Sequence, residues 1–322
     1  MEMSLYHNAL SFTASFVFLL ALLVLLRIKG LVNKSEAPAI ARLTIDFVLP
    51  CLLLGKLPFI HLSQEIIWAS TYLIFSETII GSISYLLGRY ILKLNRPSLA
   101  VFILCSTFGS TAILGSAFLT AIFYGDSQSV ATGLLISQLA VGIPAYVGMP
   151  AISIYFSEDE NTKLNAMTIV EQIVFSPSII AIVIGLLWGL SGSPTSGFLI
   201  TPFFNSLNYA GITLVFMVAL LNALALEWIN FKRDALLILS CSILILLAEP
   251  VCVYWLDEAF GQSIRYTQTS FILAAMPSAN SIIAYAIRYR TNEKLAATLV
   301  TSTTILSAIS IPSIMPIFSI FR

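Results

Sequence analysis

Residues 106–116 read STFGSTAILGS and residues 274–286 read AAMPSANSIIAYA, two patches of small and polar residues inside stretches otherwise composed to dissolve in lipid. Pro277 has no N–H to offer and its ring meets the carbonyl four residues back, so a helix through it loses hydrogen bonds where no water replaces them. A helix interrupted at such a point ends its first half in free carbonyls and begins its second half with free N–H groups. Those N–H groups, with the aligned peptide dipoles behind them, carry partial positive charge and suit an anion. The residues placed to bind one are Gly109, Ser110, Thr111 and Gly115 in the first patch, and Pro277, Ser278, Asn280 and Ser281 in the second. Pro277 suits the first position of the second half helix, where its missing N–H would have had no partner anyway. Small residues and proline in a membrane helix ordinarily serve close packing and kinks. Here the two patches stand 168 positions apart, counted from Ser110 to Ser278, close to half the chain. Paired interruptions of this kind mark the binding site of a secondary transporter.

The elements that must position these patches follow from composition. The chain has 322 residues, 58% hydrophobic and 10% charged, with a mean hydropathy of +0.94; a soluble domain carries roughly 25% charged residues. A helix needs about 20 apolar residues to cross the hydrocarbon core. Splitting the charge-free runs at Gly, Pro and Ser gives ten spans: 5–26, 38–57, 65–88, 98–124, 129–155, 166–190, 200–224, 235–256, 265–288 and 295–320. The first is read as a span rather than a signal peptide, because it opens with Glu2 and lacks a small-residue cleavage site. One set of alternate loops holds thirteen of the sixteen Lys and Arg residues, and the other holds Lys56, Arg265 and Arg322. The positive-inside rule makes the first set cytoplasmic and puts both termini outside.

The expected fold is therefore an all-α polytopic membrane protein of ten helices. Five spans per half is an odd number, so a duplicated half enters the membrane the other way up. The halves are 1–156 and 166–322, joined by a short cytoplasmic linker at 157–165. In this topology the second halves of broken helices 4 and 9 point their N-termini at each other near the midplane.

Several activities lose support. No GxxxxGK[ST] phrase offers a nucleotide site. His7 and His61 are far apart and make no metal site, and no nucleophile–base constellation suggests an enzyme. Net charge is zero, without a basic tract for nucleic acid. Cys51, Cys105, Cys241 and Cys252 all lie within spans, which argues against a disulfide framework.

Other polar residues in the spans are candidates for coupling or for a cavity wall. Glu77 sits at the centre of the third span, where an ionised carboxylate is costly unless paired or wet. Glu171 and Glu249 could also carry a proton, although snorkelling or a bond to a neighbouring helix explains them as well. Asp46 is four residues from Arg42 and can pair with it on one helix face. Asn205 and Asn208 are cavity-wall candidates, whereas interhelical hydrogen bonding accounts for Asn222 and Gln138. Trp68, Trp188, Tyr254 and Trp255 read as an interfacial belt.

The phrase AAMPSANSIIAYAIRYRTNEKLAATLVTSTTILSAISIP (274–312) resembles the auxin efflux carrier family, whose bacterial members are similar in size and include malonate and malate carriers. FGSTAILGSAFLTAIFYGD (108–126) is similar to the family's Phe-Gly-Asn…Leu-Gly-x-Pro…Phe-Gly pattern, and Pro50 and Pro177 stand where the family commonly has proline. Ser110 replaces the usual Asn and Ala117 the usual Pro, which predicts a softer break in the fourth span. The resemblance implies two inverted five-helix repeats, with a scaffold and a transport unit around crossed broken helices, similar to bile-acid symporters and sodium/proton antiporters. The mid-chain loop of about ten residues matches the compact bacterial form in an inner membrane. The expected function is alternating-access transport of a small organic anion, a carboxylate above all. It calls for no cofactor, leaves H+ or Na+ open as the coupling ion, and is compatible with a homodimer. An anion channel lined by the same helix starts is the alternative, followed by a membrane sensor or receptor.

Overall fold

The computed structural model describes residues 2–123, 126–157, 167, 170–171, 174–225 and 231–314. Residues 158–165 of the expected linker and the last residues of the expected tenth span lie outside them. Among the described residues the chain is helical. Seven helices are long and apolar enough to cross a membrane: α1 (His7–Ile28), α2 (Lys34–Phe59), α3 (Gln64–Ile91), α6 (Ser127–Tyr155), α8 (Ile200–Leu224), α9 (Asp234–Ala259) and α12 (Glu293–Ile314). Shorter helices are α4 (Arg96–Thr107), α5 (Thr111–Ile122), α7 (Pro177–Leu190), α10 (Ile264–Ala274) and α11 (Ser281–Arg288). Two starts are capped as their sequences dictate: Asn95 accepts from Ser98 N ahead of α4, and Asp126 from Ser129 N ahead of α6.

Proline explains the irregular turns inside the long helices. A helical proline clashes with the carbonyl four residues back, which for Pro50, Pro144 and Pro250 is that of Asp46, Ala140 and Leu246. Each of these carbonyls lies in a single wide π turn, at Thr44–Val48, Gln138–Gly142 and Leu244–Ala248. The wide turn swings the carbonyl clear of the ring without ending the helix. It also shifts the faces of the helix on its two sides relative to each other. Asp46 and Arg42 border one surface pocket, but the ion pair expected between them is not formed.

The helices pack in two groups. α2 lies against α7 and α8, and α1 against α8, forming one group. α3 to α6 and α9 to α12 form the other, with α3 against α4 and α9, and α10 against α9 and α6. Glycines set the closest approaches within the first group. A Cβ on Gly211 would stand 2.6 Å from Leu52 Cδ1, and one on Gly189 would stand 2.8 Å from the Pro58 carbonyl oxygen. In the second group the α5–α6 loop is fastened to the start of α10 by an Arg265–Asp126 ion pair and by Arg265 Nε donating to Ser129 Oγ at 2.7 Å. Partial burial opposes the Asp126 charge, but hydrogen bonds from Ser129 and Arg265 outweigh it and hold the carboxyl below its ordinary range.

Large apolar side chains such as Phe18, Ile67, Phe75 and Leu187 face outward, as lipid requires. Trp68 and Trp255 are exposed with them and Trp188 is half-buried, but Tyr254 is buried edge-on against Phe271 and does not belong to the expected belt.

Gly189→Ala is expected to push α7 off the Pro58 backbone and to cost about 1–3 kcal/mol. The check is the thermal midpoint of the purified protein, which should fall; an unchanged midpoint would show that the two helices separate freely.

Candidate functional site

Both patches identified in the sequence fall between helices. α4 ends at Thr107, Phe108 is extended (φ −98°, ψ 105°), and α5 starts after Ser110 (φ −77°, ψ 47°). α10 ends at Ala274 and α11 begins at Ser281. The two gaps lie antiparallel and hydrogen-bond to each other. Ser110 N donates to Pro277 O at 2.7 Å and Ala279 N to Phe108 O at 2.9 Å, with Gly109 and Ser278 facing in one bridge. Gly109 is required here, because a Cβ would meet the Met276 carbonyl oxygen at 3.2 Å. Contrary to the expectation from sequence, Pro277 is not the first residue of the half helix. It sits in the extended gap, where only its carbonyl is needed, and Asn280 takes the N-cap position.

Ser278 is likewise corrected. Its side chain is 1% exposed; its Oγ donates to Cys105 O at 2.5 Å, and its N donates to Thr303 Oγ1 at 3.3 Å. The Cys105 carbonyl is one of those freed at the end of α4, so Ser278 completes the backbone accounting behind the crossing. Gly115 is also on the far side, where a Cβ would lie 3.1 Å from Leu273 Cδ2.

On the near side is a cavity of about 600 Å³ between the two helix groups. Its inner end is made by Gly109, Ser110, Thr111, Asn280 and Ser281. Neither Ser110 nor Asn280 caps its own helix with its side chain. α5 and α11 therefore both start in one space without a side-chain cap, although in α11 Ile282 N and Ile283 N already donate to the Ala279 and Asn280 carbonyls at 3.1 and 3.2 Å. Asn280 Nδ2 donates to Asn222 Oδ1 at 3.4 Å, while Asn280 Oδ1, Thr111 Oγ1 and Gln138 Nε2 are buried without a hydrogen-bond partner among the described residues. Tyr146 Oη and Ser176 Oγ, 3.1 Å apart, join the two groups across the wall. Asp46, at the middle of α2, and Glu171 also line the cavity. Lys and Arg are absent from the lining among the described residues.

A sequence model of one protein family, described as membrane transport protein and covering the auxin efflux carriers, matches residues 13–315. The chain belongs to the auxin efflux carrier family. It is a membrane transporter of that family. No curated protein sequence matches it. In this chain, Ala117 leaves α5 continuous to Ile122, and the entry to the helix is eased instead by a wide turn over Thr111–Gly115.

Of the residues expected from sequence, the cavity gathers Asp46, Gly109, Ser110, Thr111, Asn280 and Ser281. Asn205 is exposed on α8, and Asn208 donates to Phe204 O at 3.0 Å beside Gly55 in the α2–α8 packing, so neither lines this cavity. Glu77 faces a separate cavity. Gln138, Tyr146, Ser176 and Asn222 join the site without being among the residues that sequence reasoning assigns to it. Gln138 alone carries a usable signal, standing six residues before Pro144 and so at the start of a wide turn.

Ser278→Ala is expected to leave the buried Cys105 carbonyl unpartnered, costing about 1–3 kcal/mol. Ser281→Ala, whose hydroxyl reaches only Met149 Sδ at 3.6 Å, should leave stability nearly unchanged. Thermal midpoints of the two variants check this, and equal losses would contradict the separate roles.

Proposed function

We propose that this transporter is a secondary carrier that holds a small carboxylate at the crossing of the two interrupted helices. The observation that carries the reading is the sharing of one 600 Å³ cavity by two uncapped helix starts, at Ser110–Thr111 and Asn280–Ser281. Aligned N–H groups receive the carboxylate oxygens, as helix starts do elsewhere. Thr111 Oγ1, Gln138 Nε2 and the Asn280 amide add donors without adding charge.

Counting α4 with α5, and α10 with α11, as single interrupted spans gives ten spans in two inverted sets of five. Transport then follows if α3–α6 and α9–α12 move as a unit against α1, α2, α7 and α8, because the cavity lies between these groups. Its lining ends at the crossing, which supports a carrier over a channel. Ala41 and Ile45 of the lining lie in the half of α2 nearer Lys34, the side rich in Lys and Arg, so by the positive-inside rule the cavity faces the cytoplasm.

Charge narrows the substrate. With Asp46 and Glu171 the charged residues in the lining, a second carboxylate would meet repulsion at the far end. An apolar body bearing one carboxylate fits better than a dicarboxylate.

Thermal-shift titrations with paired mono- and dicarboxylates of matched length test this. Monocarboxylates should stabilise the protein at lower concentration, and Asn280→Ala should weaken their binding about tenfold or more while folding normally, since a bond to a charged group is worth about 1.5–3 kcal/mol. Equal stabilisation of wild type and Asn280→Ala would remove Asn280 from the site.

A further inference from the structure

Glu77 on α3 and Glu249 on α9 take no part in the cavity at the crossing. Their helices meet at this level, with Ser76 Oγ donating to the Glu249 carbonyl oxygen at 3.4 Å. The side chains are 4% and 2% exposed. Glu77 Oε1 and Glu249 Oε2 lack hydrogen-bond partners among the described residues, and the two carboxyls lie within electrostatic reach of each other.

The surroundings, among the described residues, hold no cation to neutralise them. On α9 the nearby titratable groups are Cys252, within electrostatic reach of Glu249, and Asp257, two turns further on. α3 itself supplies Tyr72 and Tyr85, α4 supplies Cys105, and α6 supplies the neutral Gln138 and Tyr146. α10 brings Tyr266 and Arg265, and Arg265 is taken by Asp126 at the end of the bundle. Arg89 is twelve residues from Glu77, about 18 Å along the helix, and Arg96 donates to the Tyr155 carbonyl. α12, packed on α9, carries Glu293 and Lys294 in its first turn, at the bundle's end.

Two buried carboxylates within electrostatic reach of each other cannot both stay charged without a counter-ion, and the usual resolution is a proton held between them. Glu77 lines a second cavity of about 700 Å³, bounded by α3, α4 and α6, together with Thr107 and Phe108. Thr107 Oγ1, also unpartnered among the described residues, stands 3.2 Å from where a Cβ on Gly81 would lie, one turn from Glu77. Phe108 O in turn accepts from Ala279 N, so the second cavity reaches the crossing from behind.

We propose that Glu77 and Glu249 form one proton-binding site inside the helix group that carries the crossing, reached through this second cavity. The proposal does not depend on which anion the chain carries.

The test uses the proton as its own probe. Infrared difference spectra of the purified full chain in lipid, between acidic and alkaline buffer, should show the carbonyl band of a protonated carboxyl. The band should persist in D257N, which controls for the other buried carboxyl of α9, change in E77Q and in E249Q, and be lost in E77Q/E249Q. These amides keep side-chain shape, and a thermal midpoint near that of wild type verifies folding. Sodium added at constant pH should leave the band in place. Loss of the band in D257N with survival in E77Q/E249Q would overturn the assignment, as would its disappearance on adding sodium.

Discussion

In hydrocarbon, a backbone N–H or C=O without a partner costs on the order of several kcal/mol, so a chain that breaks a helix there must find it another. This protein breaks two and gives each to the other. Ser110 N to Pro277 O and Ala279 N to Phe108 O form a two-bond strap between the gaps, and Ser278 and Thr303 close the remainder from behind. The strap occupies the extended residues and leaves both helix starts beyond them without a side-chain cap. On the proposed function, that asymmetry turns a backbone defect into a seat for an anion.

The rest of the architecture serves the strap. Gly109 lets the gaps approach, and Gly133 of α6, where a Cβ would meet Leu119 Cδ1 at 2.5 Å, lets α5 lie close. Wide turns at three prolines bend α2, α6 and α9 without severing them, and two of these turns deliver polar side chains, Asp46 and Gln138, to the cavity. The third ends at Ala248, directly before Glu249, whose backbone carbonyl accepts from Ser76 Oγ of α3. Proline at these positions thus shapes function through the turn that precedes it.

The membrane-spanning character, the position of both gaps and the polar residues at their far ends were legible in the sequence, because each rests on composition or on a local backbone rule. Ser278 and Pro277 were misread for a single reason. Sequence shows that a helix breaks but not where it resumes, and the resumption at Ser281, rather than at Pro277, moves Ser278 from the front of the crossing to its back. Asn208 could not be assigned to packing without knowing that α8 lies on α2. The partnership of Glu77 with Glu249, 172 positions apart, is a tertiary fact that no local pattern encodes.

If the uncapped start of α5 receives an anion, water must reach it from one side of the membrane. A single cysteine at position 112, in a chain with the four native cysteines replaced, reports on this directly, since Ala112 lines the cavity in the first turn of α5. A charged, impermeant thiol reagent should modify it from the side that carries Arg42 and Arg288. Absence of modification from either side, with a cysteine at exposed position 196 reacting normally, would contradict an open anion seat at the crossing.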